Sequence, residues 1–287
     1  MKWRGRRGSR NIEDRRGRGG RVAKGGGVGL VGMIAILAAG YFLGIDISPL
    51  VGGGGGTTGA TLEASGNRQI TAADKERGDF VTVVLADTEQ VWADVFQREL
   101  GRSYRPPVLV LFTGATSSPC GSASGATGPF YCPGDRKAYL DTDFFVTMAK
   151  RMGAGGDFAA AYVVAHEIAH HVQNELGILG QANKARSRMN KTDSNRVSVM
   201  IELQADCLSG IWAREAQQKF GILEEGDLEE AINAAKQIGD DTIQRNAGRR
   251  PMPHTFTHGT SQQRMEWFAR GLRSGEISAC DTFSALN

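Results

Sequence analysis

Residues 161–174 read AYVVAHEIAHHVQN, and they set a condition that any fold of this chain has to meet. Alanine, valine and isoleucine surround three histidines and a glutamate. The apolar residues call for burial. Imidazoles and carboxylates resist it unless each finds a partner or a metal ion. A chain carrying this stretch must bring further polar groups to one buried helix.

The spacing says which groups. His166 and His170 are four residues apart, so on a helix their rings leave one face about one turn apart. Two imidazole nitrogens can then reach one zinc ion at about 2.0–2.1 Å. Glu167 is turned by about 100° from His166. Its carboxylate falls beside the metal, where it can take a proton from an activated water and pass it to a leaving amine. A catalytic zinc needs a third protein ligand and one open position. IELQADC, residues 201–207, offers Glu202 and Asp206 four apart among apolar neighbours, where carboxylates are costly unless paired or metal-bound. Glu202 is expected as the third ligand. Asp206 is expected to accept the outer N–H of a ligand imidazole, His166 above all.

The neighbouring polar residues read differently. Glu175 sits near its helix end and is the weaker alternative ligand. His171 is rotated away from His170 and reads as a histidine satisfied by protein hydrogen bonds, and Gln173 as a packing or hydrogen-bonding group. Asp240 and Asp241 are adjacent, so they point apart and suit capping or solvated roles better than a metal pair. Peptide hydrolysis also needs a donor for the developing oxyanion. His258, in THGTSQQR, is the favoured candidate, with Arg264 and Tyr162 behind it. The expected cofactor is Zn2+ and the expected partner a peptide or protein substrate. A competing reading is a membrane-tethered binding or scaffold protein with a structural zinc, to which an intact Glu167 would be irrelevant.

Charge divides the chain. Residues 1–27 hold ten Lys or Arg against Glu13 and Asp14, while the whole chain is only +3. The body is therefore net acidic, which argues against nucleic acid as its partner. VGLVGMIAILAAGYFLGI, residues 28–45, has no charge and, as a helix, matches the bilayer core. Flanking cations place the N-terminus in the cytoplasm and the body outside. A cleaved signal peptide fits less well, since the apolar run is long and no clear cleavage site follows. Residues 46–67 include five consecutive glycines and read as a flexible linker. The expected domains are a basic cytoplasmic tail (1–27), an anchor (28–45), the linker (46–67) and a catalytic body (68–287). The expected location is single-pass in a membrane, with the N-terminus cytoplasmic.

The four cysteines, Cys120, Cys132, Cys207 and Cys280, form no CxxC pair. In an exported body they suggest two disulfides. Three connectivities are open; the local choice joins Cys120 to Cys132 and leaves Cys207 with Cys280.

Periodicity gives the coarse fold. Helical spacing covers 71–100, strands are expected at 106–112 and 137–141, and 113–135 reads as a long loop. Further helices are expected from Asp157 (as N-cap) towards Gly177, over 194–219, from Asp227 through IGDDTIQ, and after Thr260, whose spacing to Gln263 is that of a capping box. The class is α+β, mainly helical with a small sheet, preceded by one transmembrane helix. Either strand could serve as an edge that pairs with an extended substrate.

Several segments, in order, carry a resemblance: MKWRGRRGSRNIEDRRG, LADTEQVW, CGSASGATGPFYCPGDRKAYLD, VVAHEIAHHVQ, IELQADCLSGIW, IGDDTIQ and HGTSQQRMEWFARG. Together they closely resemble the bacterial neutral zinc metallopeptidase family over nearly the whole chain. The resemblance implies a membrane-anchored zinc peptidase with a zincin-like core. It implies His166 and His170 as ligands and Glu167 as catalyst. ELQAD is similar to the glutamate-ligand helix of gluzincins, in line with Glu202 and Asp206.

Overall fold

The computed structural model describes residues 1–17, 69–124 and 127–285. The apolar run 28–45 and the linker 46–67 lie outside these residues. Among the described residues, no helix is long and apolar enough to cross a membrane.

The body is mainly helical with a small sheet. Strand β1 (Ile12–Asp14) precedes helix α1 (Ala72–Val95), which continues as a π-helical turn, Phe96–Leu100. Five strands follow: β2 (Val108–Phe112), β3 (Ala115–Ser118), β4 (Gly121–Ser124), β5 (Phe130–Cys132) and β6 (Lys137–Asp141). The helices are α2 (Asp143–Arg151), α3 (Asp157–Glu175), α4 (Ile178–Arg186), α5 (Lys191–Phe220), α6 (Asp227–Gln237), α7 (Asp240–Asn246), α8 (Ser261–Ser274) and α9 (Thr282–Ala285). Short 3-10 turns lie at Pro253–Thr255 and Ile277–Cys280.

One sheet has the order β1-β2-β6-β5, with β1, β2 and β6 parallel and β5 antiparallel to β6. β3 and β4 form a separate hairpin inside the stretch expected as loop. Its residues are small and polar, so no alternation marked it as strand. The expectation that 107–112 or 137–141 is an edge strand is wrong. β2 lies between β1 and β6, and β6 between β2 and β5, so both spend their backbone groups on neighbours. The edges are β1 and β5.

The N-terminal residues also depart from expectation. Residues 1–17 are not a tail apart from the body. β1 pairs with β2, Ile12 opposite Leu109. Trp3 is buried edge-on against Phe80 of α1. Arg6 holds Asp87 with two bonds of 2.6 Å, and Ser9 and Asn11 donate to Glu89 at 2.5 and 2.7 Å. The Met1 ammonium sits between Asp157 at 2.6 Å and Asp227 at 3.2 Å. Of the cations that suggested a tail, Arg4 and Arg6 pair with Glu76 and Asp87 of α1, while Arg15 and Arg16 pair with Glu13 and Asp14 of their own segment, which a count of charges does not reveal.

The core is built around α3. Fourteen of its nineteen residues are buried, so its polar groups need internal partners. Its N-cap is Gly156 at φ 111°, not Asp157, which is the first helical residue. The helix stops at Glu175, and Gly177 follows with φ 80°. α5 is capped by Asn190, whose side chain accepts from the Asp193 amide at 3.0 Å. α5 and α8 cross at Gly210 and Gly271. A Cβ on Gly271 would collide with the Cys207 carbonyl, and one on Gly210 with that of Phe268. This close approach lays α8 on the part of α5 that carries Asp206. The expected single helix after Asp227 breaks into α6 and α7 at Gly239, where a Cβ would meet the Ser261 backbone. The Thr260–Gln263 capping box opens α8 as expected. Both disulfides form, Cys120–Cys132 and Cys207–Cys280.

Candidate metal centre

α3 and α5 face one another, and their polar residues meet. Donor atoms of His166, His170 and Glu202 all lie within 4.8 Å of one another. His166 Nε2 is 3.1 Å from Glu202 Oε2, and His170 Nε2 is 3.6 Å from Glu202 Oε1. The two imidazoles stand nearly perpendicular, 4.8 Å apart at 87°. Two imidazole nitrogens and one carboxylate on a common point match the donor set of a three-ligand zinc site with one position open. The residues fit the ion that their spacing implied.

The outer nitrogens are held by other groups. Asp206 Oδ1 lies 3.0 Å from His166 Nδ1, at an angle short of a straight hydrogen bond. Asp206 is fully buried and also accepts from Tyr162 Oη at 2.5 Å. Arg264 reaches the same carboxylate from α8 and is buried too. Its Nη1 donates to the Ile238 carbonyl at 3.2 Å. Burial by itself would raise the Asp206 pKa, but the Arg264 charge and His166 hold it below the usual value. His170 Nδ1 is 2.8 Å from Gln173 Oε1.

The sequence placed Arg264 and Tyr162 as weaker oxyanion donors. The structure turns both onto Asp206, behind His166, and neither is free to meet a substrate. Glu175 pairs with Arg105 and Arg136 away from the cluster. His171 is satisfied by the Arg105 carbonyl at 2.7 Å and Tyr131 Oη at 3.0 Å. Burial pushes its pKa down to about 4.

Glu167 lies beside the cluster and is half-buried. Burial raises its pKa, against the pull of the His170 and His166 charges. A carboxylate moved up in this way is the better proton acceptor near neutrality.

His258 lies in the loop before α8 and is about half exposed. It is near enough to Glu202 for each to feel the other's charge. Its Nδ1 is 3.3 Å from Asp240 Oδ1. Asp240 Oδ2 accepts from three successive amides, Thr257, His258 and Gly259, at 2.7, 2.6 and 3.1 Å. One buried carboxylate thus fixes both the loop and the ring. Burial lowers the His258 pKa, and Asp240 and Glu202 outweigh it, so the net shift is upward. Asp241 turns the other way, onto Ser261 at 2.7 Å, as adjacency required.

Sequence reasoning missed Asp240 as the residue that orients His258, because nothing in the spacing ties two groups eighteen residues apart. It also missed Gln204, which accepts from Gln173 at 3.0 Å. A polar side chain between Glu202 and Asp206 on an apolar helix was the available signal. A second acidic group, Asp157, Asp227 and Glu230, has donor atoms equally close together. Two of its members bind the Met1 ammonium.

A family model described as "Putative neutral zinc metallopeptidase" matches residues 1–283. The chain is 44% identical over 292 residues to "Uncharacterized protein YpfJ" of Escherichia coli (strain K12), covering 99% of each. It is 41% identical over 227 residues to "Uncharacterized protein Rv2575" of Mycobacterium tuberculosis (strain H37Rv), covering 76% of this chain and 75% of that one. No solved structure matches the chain. A match spanning the Arg-rich start, the two histidine- and glutamate-bearing helices and the His258 loop alike places the chain in the putative neutral zinc metallopeptidase family.

Proposed function

We propose that the chain is a zinc-dependent peptidase, with His166, His170 and Glu202 as the metal ligands. The observation that carries this reading is the convergence of those three side chains within 4.8 Å, with Glu167 beside them. Zinc bound there supplies Lewis acidity, polarising a carbonyl and making a water acidic enough to lose a proton near neutral pH. Glu167 takes that proton on its carboxylate and returns it to the leaving amine. His258 donates to the developing oxyanion from Nε2, while Asp240 holds its Nδ1. Asp206 keeps His166 oriented, and Arg264 and Tyr162 keep Asp206 in place. An extended substrate would add to β5, the edge strand next to α3, through backbone hydrogen bonds.

The apolar run 28–45 supports attachment to a bilayer. The pairing of β1 with β2 supports a placement of residues 1–17 and the body on one side of it. A cytoplasmic tail and an exported body separated by a single crossing, the arrangement the charges favour, would pull these strands apart.

The test is zinc content and turnover of a broad peptide library by the purified chain, beside Glu167→Gln. Stoichiometric zinc in both with cleavage in the parent alone establishes the peptidase. Zinc in both with cleavage in neither favours a non-catalytic, zinc-containing binding protein. A folded parent that takes up no zinc removes the assignment.

A further inference from the structure

A one-way chain of hydrogen bonds links His170 to a disulfide. His170 Nδ1 faces Gln173 Oε1 at 2.8 Å. Gln173 Nε2 donates to the Ile201 carbonyl at 2.8 Å and to Gln204 Oε1 at 3.0 Å. Gln204 Nε2 donates to the Cys280 carbonyl at 2.9 Å. Gln173, Gln204 and Cys280 are buried, so water offers no substitute partners.

The direction of this chain is fixed from its far end. A backbone carbonyl only accepts, so Gln204 must present its nitrogen to Cys280 and its oxygen to Gln173. The Ile201 carbonyl orients the Gln173 amide in the same sense. Gln173 then offers His170 an oxygen, which can only accept. His170 therefore carries its proton on Nδ1 and keeps the Nε2 lone pair for the side facing Glu202, the form that binds a metal.

Cys280 ends the 3-10 turn Ile277–Cys280 and is bonded to Cys207 of α5. Cys207 follows Asp206 directly and lies five residues from Glu202. The disulfide thus pins the Cys280 carbonyl, the far end of this run of hydrogen bonds, to the helix that supplies the carboxylate. Thr282 adds a weaker tie, donating to the Met200 carbonyl at 2.7 Å.

We propose that Gln173 and Gln204 are positioning residues for His170, and that the Cys207–Cys280 disulfide sets them through the Cys280 carbonyl. The site reaches full metal affinity only in the oxidised chain. Before oxidation the turn is held only by non-covalent ties, Thr282 on the Met200 carbonyl, the Ile277 N–H on Glu99 Oε2 at 2.8 Å and packing, and His170 loses its fixed tautomer and ring orientation. The inference rests on the zinc-site reading above.

The experiment uses the full chain and two metal probes. Zinc dissociation constants come from chelator competition, and cobalt(II) absorption reports ligand geometry. The variants are Gln173→Leu, Gln204→Leu, the pair Cys207→Ser/Cys280→Ser, and that pair with Gln204→Leu. Gln173→Leu should weaken zinc binding by about 10–100-fold. Gln204→Leu and the cysteine pair should each weaken it less and shift the cobalt spectrum. Gln204→Leu should add nothing in the cysteine-free background, because both changes cut one chain. Additive losses, or unchanged zinc binding and cobalt spectra in Gln204→Leu, would overturn the proposal. If the cysteine variants fail to fold, Gln173→Leu and Gln204→Leu in the oxidised chain decide it. A parent that binds no zinc defeats the zinc-site reading itself, an outcome distinct from a parent that binds normally beside indifferent variants.

Discussion

Arg264 grips Asp206 through two nitrogens, with Nε 2.8 Å from one carboxylate oxygen and Nη2 2.9 Å from the other, and both side chains are buried. The pair lies between α8 and α5 at the glycine-mediated crossing, directly behind His166. A buried ion pair contributes little relative to an apolar pair of the same shape, but breaking one partner is costly. Arg264→Met would leave the Asp206 carboxylate without its counter-charge and should destabilise the fold by about 3–5 kcal/mol. Adding Asp206→Leu should restore part of that loss while keeping zinc affinity low, because His166 then has no outer acceptor. Urea unfolding and zinc competition on the two variants check both halves. Equal stability of the single and double variants would mean that Asp206 finds another partner.

His258 and Asp240 predict a separate effect, confined to turnover. His258→Phe should lower kcat by about 10²–10³-fold with little change in KM, as for loss of one oxyanion donor. Asp240→Asn should lower it less, since an amide oxygen still accepts from part of the loop. Asp240 raises the His258 pKa. If protonated His258 is the active form, removing that charge lowers the pKa and moves the alkaline limb of the pH–rate profile to lower pH. A limb that stays in place would show that another group controls it.

His171 predicts an acid-sensitive fold. Its folded pKa is about 4, against 6.5 for an unperturbed imidazole, because burial excludes the charged form. Its contribution to stability is complete above pH 6.5 and is lost as pH falls from there towards 4. The full span is worth about 3 kcal/mol. Replacement of His171 by Gln should flatten the pH dependence of the melting temperature between pH 6.5 and 4, at some cost in stability at pH 7. A parent whose melting temperature is unchanged over that range would contradict the assignment.

The sequence exposed the centre of this molecule better than its surroundings. HExxH and ExxxD each place their polar groups on one helix face by helical period, and the cost of burying carboxylates among apolar neighbours tied Glu202 and Asp206 to the two histidines. Glu167 followed from the same rotation. What spacing does not encode is contact between elements. Arg264 looked available for substrate because its helix was visible but its crossing with α5 at Gly210 and Gly271 was not. Asp240 looked like a cap, and it does brace a loop, but its hold on His258 needs the fold. β3 and β4 were hidden by small polar residues that turns also favour. Residues 1–17 were misread for a related reason. Arginine density is a property of the segment, whereas its partners Asp87, Glu76 and Glu89 sit on a helix far along the chain.

The docking of that segment can be tested with the residues as they stand. Glu13, in β1, receives a hydrogen bond from Lys137 Nζ of β6 at 2.7 Å. An amine and a carboxylate at that distance are joined by a zero-length carbodiimide, which forms an amide with loss of water. The pair spans β2, so it becomes adjacent only when β1 occupies the sheet edge. Treatment of the chain in its native membranes or in solution should yield a peptide linking the segment around Glu13 to that around Lys137, identified by mass spectrometry. Arg15→Pro, which removes the N–H that Arg15 donates to the Leu111 carbonyl of β2 at 2.8 Å, should abolish the link and leave other cross-links in the body unchanged. If no such link forms although links within the body do, residues 1–17 are not held on the sheet. A link formed in native membranes places Glu13 and Lys137 on one side of the bilayer, which no single crossing between them permits.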